Sequence, residues 1–247
     1  MAAGGKFSAN FGADNRLKLT GAIMIYSGGN NGGAFANYHG IYLDKQKQPA
    51  LLEGSPLGQT MMAAMVRDFS KNAQVGSFLS GNVLSVGMDS LVWWIKPSKR
   101  EIHFSCNKAK TGIGVETAIV PHPAMIFSVS EGEWRVFAIK GNTRPTEKTA
   151  LFQVPHFNVW AGGRICTGNV TLPKDYSIES MAAWEKAYFG SNFTHPNVTQ
   201  LVNYEGGAYA FWRSMLDGAF PKFPNEVLVP GNLTLGNHIR KINGGSR

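Results

Sequence analysis

Between residues 91 and 154 the chain is cut into apolar runs too short for helices. Leu91–Ile95, Ile102-His103-Phe104, Ala124–Val129, Trp134–Ile139 and Ala150–Val154 are each three to six residues long, with turn-forming residues between them. Runs of that length, rich in β-branched and aromatic side chains and bounded by Gly or Pro, predict strands. Lys96-Pro97 ends the first run and Pro155 stops the last. Ser130-Glu131-Gly132-Glu133 is a turn, so the runs on either side of it predict a hairpin. The 29 glycines and 12 prolines fit this reading, since they favour turns over long helices.

Helical period occurs on both sides of that block. After Pro56, Leu57, Met61, Met65 and Phe69 recur four apart with Met62 and Val66 beside them, a stripe expected to face a core rather than a cofactor. Ile178–Phe189 carries Ile178, Met181, Ala182 and Trp184 at helical spacing, and Ala208–Leu216 carries Phe211, Trp212, Met215 and Leu216. Trp93, Trp94, Trp184 and Trp212 are expected in the core. From Pro221 onward the sequence reads as turn-rich. Residues 1–17 are polar and Gly-rich, a loose arm. Ala22–Tyr26 and Tyr38–Leu43 predict strands around Ser27-Gly28-Gly29-Asn30-Asn31-Gly32-Gly33. That loop opens onto a strand and lacks a following Gly-Lys-Ser/Thr, so it does not cradle phosphate. The whole predicts an α+β fold: an antiparallel meander with a preceding helix and C-terminal helices on one face. Residues 1–50 read as a strand-rich extension, separate or part of the same domain, 51–236 as the main domain and 237–247 as a basic tail.

The formal net charge is +8, with Lys96, Lys99, Arg100, Lys108 and Lys110 clustered and Arg240, Lys241 and Arg247 near the end. Charge of this kind attracts nucleic acid or acidic proteins. No named DNA- or RNA-binding motif accompanies it, so it is read as a solvated surface and nucleic acid is not expected as a partner. No run of 18 apolar residues is present, and no membrane span is expected. The first residues lack the pattern of a signal peptide, and Asn-X-Ser/Thr triplets at Asn169, Asn192, Asn197 and Asn232 are attributed to chance. Two cysteines, Cys106 and Cys166, are too few for a disulfide scaffold and form no Cys-X-X-Cys. A cytoplasmic setting, where a thiol stays reduced, is the expectation. His39, His103, His122 and His238 show no ligand spacing, and neither a metal nor a cofactor is expected.

The segment with chemical content runs from Pro155 to Gly168. His156-Phe157-Asn158-Val159 leads through Gly162-Gly163-Arg164 into Ile165-Cys166, with Asn158 and Cys166 eight residues apart. A thiolate is both a good nucleophile and a good leaving group, so one accessible sulfur can accept an acyl group and give it up again. A side-chain amide such as Asn158 can stabilise the oxyanion of acyl transfer or brace the loop bearing the thiol. Gly162 and Gly163 permit the tight turn between them. Cys106, at a strand end, reads as a small buried hydrophobe.

This segment resembles the active site of ubiquitin-conjugating enzymes, in which His-Pro-Asn-Ile/Val leads through a Gly turn into Ile-Cys. Over nearly the whole chain the sequence is similar to the PRTRC system protein B family, a bacterial branch of that superfamily. The matching stretches are Ala22–Tyr26, Leu91–Trp94, Trp134–Ile139 with Arg144-Pro145, the Cys166 segment and Phe193-Thr194-His195-Pro196. The resemblance implies a UBC-like fold and a thioester carrier with Cys166 as nucleophile and Asn158 beside it. His156, Gly163 and His195 are read beside them as supporting residues, His195 as a group to assist an incoming amine should its loop lie near the thiol. The resemblance further implies a ubiquitin-like protein, a ThiF-like activating enzyme, a JAB-type metallopeptidase and a protein acceptor as partners. A catalytically inactive adaptor of the same fold is the alternative. The sequence departs from the pattern at three points. Phe157 stands where the superfamily has proline, Thr167-Gly168 follow the cysteine instead of leucine, and the tryptophan usual after the cysteine is missing unless Trp184 takes its place. His195-Pro196-Asn197 spells the family tripeptide more closely than His156-Phe157-Asn158, but after the cysteine, and reads as a loop. His156 is expected to be structural, its ring bonded to nearby backbone.

Overall fold

The computed structural model describes residues 20–27, 34–72, 79–87, 89–130, 132–168 and 170–243. The arm at 1–17 and most of the glycine loop lie outside them. Two compact units divide the chain, Met1–Phe78 and Leu79–Arg247.

The first unit holds three antiparallel strands in the order β1 (Gly21–Ser27), β2 (Ala34–Leu43), β3 (Pro49–Pro56). The turn from β2 to β3 is built by Asp44, whose carboxylate accepts the backbone N–H groups of Gln46 at 2.9 Å and Gln48 at 2.8 Å. Residue 50 lies within β3. Helix α1 (Gln59–Asn72) follows. Pro56 therefore closes a strand rather than opening the helix, and Leu57 precedes it. Met61, Met62 and Val66 are exposed, contrary to the expectation of a core stripe. Period reports that a segment is helical, and what covers its apolar side is a separate matter.

In the second unit a six-stranded sheet runs in the order β12, β10, β9, β8, β5, β4. Its strands are β4 (Val83–Val86), β5 (Ser90–Ile95), β8 (Ala124–Ser130), β9 (Glu133–Ile139), β10 (Ala150–Phe152) and β12 (Pro230–Thr234). The β8–β9 hairpin forms as the sequence predicts, in register from Ala124 with Ile139 to Ser130 with Glu133. The meander is interrupted, however. Between β5 and β8 the chain leaves the sheet to make a hairpin of β6 (Ser98–Ser105) and β7 (Val115–His122), joined through the short helix α2 (Lys108–Thr111). Pro97 and Pro123 stand where it leaves and re-enters, and neither can donate to a ladder. Strand β11 (Asn192–Phe193) adds to β6 in parallel, pairing Asn192 with His103 and Phe193 with Phe104.

Both faces of the large sheet are buried. Leu91, Trp93 and Ile95 of β5 join a cluster with Trp184 of α3 (Met181–Phe189) and Phe211, Trp212 and Met215 of α4 (Gly207–Leu216). Val92 and Trp94 join a second cluster with Phe137, Leu151 and Leu235. The strands read as continuous apolar runs because each faces a layer on either side. Helix α5 (Leu235–Ile242) supplies part of the second cover, where the sequence suggested turns and a basic tail. Helices accordingly pack on both faces, not one. The four expected core tryptophans, Trp93, Trp94, Trp184 and Trp212, are all buried.

Phe104 of β6 is the hinge of the larger cluster, with ring centroids 5.4 Å from Phe157, 6.3 Å from Phe193 and 5.3 Å from Trp212. Truncating it leaves a cavity shared by β6, β11, α4 and the segment before Asn158. Phe104→Ala is expected to lower unfolding free energy by about 3–5 kcal/mol in denaturant titration. A loss below about 1 kcal/mol would show that these elements do not depend on one another.

Candidate active site

After β10 the chain goes inward, and His156 and Phe157 are fully buried. Phe157, in the place of a proline, is an anchor: its ring meets Phe104 edge-on and Tyr209 at 5.2 Å. Asn158 then turns the chain in the left-handed region, at φ 60°. Asparagine tolerates that conformation better than other non-glycine residues. Its backbone N–H donates to the His195 carbonyl at 3.0 Å, and its carbonyl accepts the Cys166 N–H at 2.8 Å. Its side chain reaches the same neighbouring segment. Nδ2 donates to the Asn192 carbonyl at 2.7 Å, while Oδ1 accepts Thr194 N–H at 3.1 Å and lies 2.9 Å from Thr194 Oγ1.

Between Asn158 and Cys166 the chain folds back on itself. Val159 bridges Ile165, and Trp160 N–H donates to the Arg164 carbonyl at 2.8 Å. The turn at the tip is a 3-10 turn, Ala161–Gly163, with Gly162 at φ 74° and Gly163 at φ 80°. Gly163 sits against β9 so closely that a Cβ would lie 2.6 Å from the Val136 carbonyl oxygen. Arg135 of β9 clamps the tip from the side: its Nη1 donates to the Gly162 carbonyl at 2.7 Å. Glu133 holds the same guanidinium through Nε at 2.7 Å and Nη2 at 2.8 Å, and Arg135 in turn keeps the Glu133 carboxyl below the usual carboxylate range. Ile165 N–H donates to the Trp134 carbonyl at 2.9 Å, completing the seam to β9.

Cys166 emerges exposed from this loop. Two open grooves flank it. One is lined by Asn158, Thr194, His195, Leu172 and Lys186 among others, and the second by Trp134, Trp160, Arg164, Tyr176 and Trp184. The loop that spells His195-Pro196-Asn197 lies between β11 and α4 and brings His195 to the first groove. Trp184 is buried against Trp134 with centroids 5.4 Å apart, and its Nε1 donates to the Asp175 carbonyl. Cys106 is half-buried. Its Sγ lies 3.1 Å from the Thr194 carbonyl, and burial pushes its pKa up. Among the described residues, no group of three or more His, Cys, Asp or Glu side chains is placed to hold a metal ion.

His156 supports the site from behind, through side chains and not the backbone expected from sequence. His122 Nε2 is 3.2 Å from the Arg100 carbonyl, His122 Nδ1 is 2.8 Å from His156 Nε2, and His156 Nδ1 is 2.7 Å from the Tyr188 hydroxyl. A carbonyl only accepts, so His122 Nε2 carries a hydrogen and Nδ1 does not. His156 Nε2–H then donates to His122, and the Tyr188 O–H donates to His156 Nδ1. All three groups are neutral, and the ring nitrogens of both histidines and the Tyr188 hydroxyl each have a partner. Burial lowers the His122 pKa to about 4, lowers that of His156 well below its ordinary value and raises that of Tyr188. His122 and Tyr188 lie in no motif, and Arg135 and Thr194, though inside stretches that carry the resemblance, are not singled out there as site residues. Their roles come from strands and helices distant in sequence.

Gly162→Ala adds only the cost of a left-handed alanine, about 1 kcal/mol, because its Cβ would meet nothing nearer than Arg135 Nη1 at 3.5 Å. Gly163→Ala adds the collision with Val136 and is expected to cost about 2–4 kcal/mol. Denaturation of both variants checks the order, and equal losses would contradict the close approach. Stability should also fall with acid. His122 and His238 titrate near 4 in the fold, both because of burial, against about 6.5 in an unfolded chain. The unfolded chain binds those protons first, so their contribution is complete above about pH 6.5 and is lost towards pH 4. Melting temperature against pH reads this, and His238→Phe should flatten the slope.

The model of a protein family described as prokaryotic E2 family D matches residues 58–231. No curated protein matches the chain, and no solved structure does.

Proposed function

The chain belongs to prokaryotic E2 family D, and from that premise we propose that it carries a ubiquitin-like protein as a thioester on Cys166. The observation that supports this most is the exposure of Cys166 at the meeting of two grooves, on a loop tied down on both sides. An adaptor that had given up the chemistry would have no need to present the thiol. A ThiF-like activating enzyme supplies the acyl group. The Cys166 thiolate attacks the incoming thioester carbonyl, and the sulfur of the activating enzyme leaves. In the second half an acceptor amine attacks the carbonyl now held on Cys166, and Cys166 leaves as thiolate. A JAB-type metallopeptidase would reverse the product.

Asn158 has two tasks in this reading. Its carbonyl and amide side chain fix the loop. Its Nδ2 bears a second hydrogen that makes no hydrogen bond among the described residues, and that hydrogen is available to the oxyanion of the tetrahedral intermediate.

The test is mass spectrometry without reductant on the chain mixed with its activating enzyme, ubiquitin-like partner and ATP. A thiol-sensitive adduct at Cys166, absent in Cys166→Ala and unaffected by Cys106→Ala, is expected. Asn158→Ala should slow discharge on the order of a hundredfold. A charged activating enzyme that never passes its cargo to Cys166 would overturn the carrier reading in favour of the adaptor.

A further inference from the structure

The hydrogens around Thr194 can be placed from what each atom is able to do. Asn158 Oδ1 is identified as the oxygen, since it accepts Thr194 N–H while Nδ2 donates to the Asn192 carbonyl. Thr194 Oγ1 lies 2.9 Å from that oxygen. Two oxygens so close need a hydrogen between them, and an amide oxygen has none, so the hydroxyl donates. Its only proton is now used. Thr194 Oγ1 is also 2.8 Å from His195 Nδ1, and there it must accept. Neutral His195 is therefore protonated on Nδ1. The lone pair sits on Nε2, which makes no hydrogen bond among the described residues.

That lone pair belongs to an exposed ring lining the groove it shares with Cys166 and Asn158. Among the described residues lining this groove there is no Asp or Glu, and Lys186 is its formal charge. Glu133, in the second groove, is committed to Arg135. Transfer to an amine must release a proton, and the first groove offers His195 to receive it.

We infer that His195 Nε2 is the general base of the transfer step, an assignment that rests on the carrier reading above. The amine nitrogen bonds to the thioester carbonyl carbon, and its proton passes to Nε2. The C–S bond then breaks, its electron pair leaving with Cys166 Sγ, and the imidazolium returns the proton to water. Asn158 thus reaches both ends of the reaction. It faces the carbonyl directly, and through Thr194 it sets the tautomer of the base.

The test uses a synthetic peptide ending in Gly-Gly as a mercaptoethanesulfonate thioester, so that no natural partner is needed. Acyl exchange charges Cys166, and discharge to glycinamide is followed by mass. His195→Gln should charge normally and discharge on the order of a hundredfold more slowly at pH 8. The ratio of wild-type to variant rate should shrink towards one as the pH falls and the imidazole becomes protonated. A merely positioning role would give a ratio independent of pH and would overturn the assignment, as would equal rates. Failure of wild-type Cys166 to take the acyl group would overturn the carrier reading, and the base with it. The ring nitrogens give a separate reading: 15N spectra at high pH are expected to place the proton on Nδ1, and a proton on Nε2 would contradict the assignment whatever the kinetics.

Discussion

One left-handed asparagine holds this site together. Asn158 binds the Cys166 backbone through its carbonyl and the 192–195 segment through its N–H and its amide side chain. Each of those bonds is modest alone, about 1 kcal/mol net. Together they join two stretches of chain that lie far apart in sequence. Removing the side chain would leave the part-buried Thr194 N–H without its partner, whereas the exposed Asn192 carbonyl would turn to water.

Behind that junction the structure is stiff for a different reason. His156 lies one layer deeper, in a chain of neutral groups from the Arg100 carbonyl to Tyr188. Phe157 fills the aromatic cluster of Phe104 and Tyr209. A proline at that position would restrict the backbone directly, whereas here burial of a ring fixes the residue before Asn158. On the other side Arg135 and the close approach of Gly163 to β9 fix the tip of the loop. The thiol is exposed, but the backbone that carries it is held from three directions.

The parts of this that were legible in the sequence are the local ones. The Asn158–Cys166 spacing, the Gly162-Gly163 turn and the β8–β9 hairpin lie within short windows, and turn chemistry specifies them. The excursion of β6 and β7 was not legible, because a break between two apolar runs does not say whether the next strand returns to the same sheet. Nor was the parallel addition of β11, two residues long and set by a partner far away in sequence. Helix α5 was hidden by its charge: Arg240 and Lys241 suggested a tail, while Leu235 and His238 face the core. Arg135 reads as an ordinary strand residue until Gly162 is placed beside it. His195 was expected from the sequence as a supporting residue, but its tautomer follows from contacts that no linear pattern encodes.

In the proposed function Asn158 and Cys166 form one acyl-transfer centre, which a structure with an acyl group in place would reveal. Cys166→Ser joined as an oxyester to a peptide ending in Gly-Gly would supply one. The ester carbonyl oxygen is expected within hydrogen-bond distance of Asn158 Nδ2, with the ester carbon open to the groove that holds His195. A carbonyl turned away, towards Trp160 and Arg164 in the second groove, would contradict it.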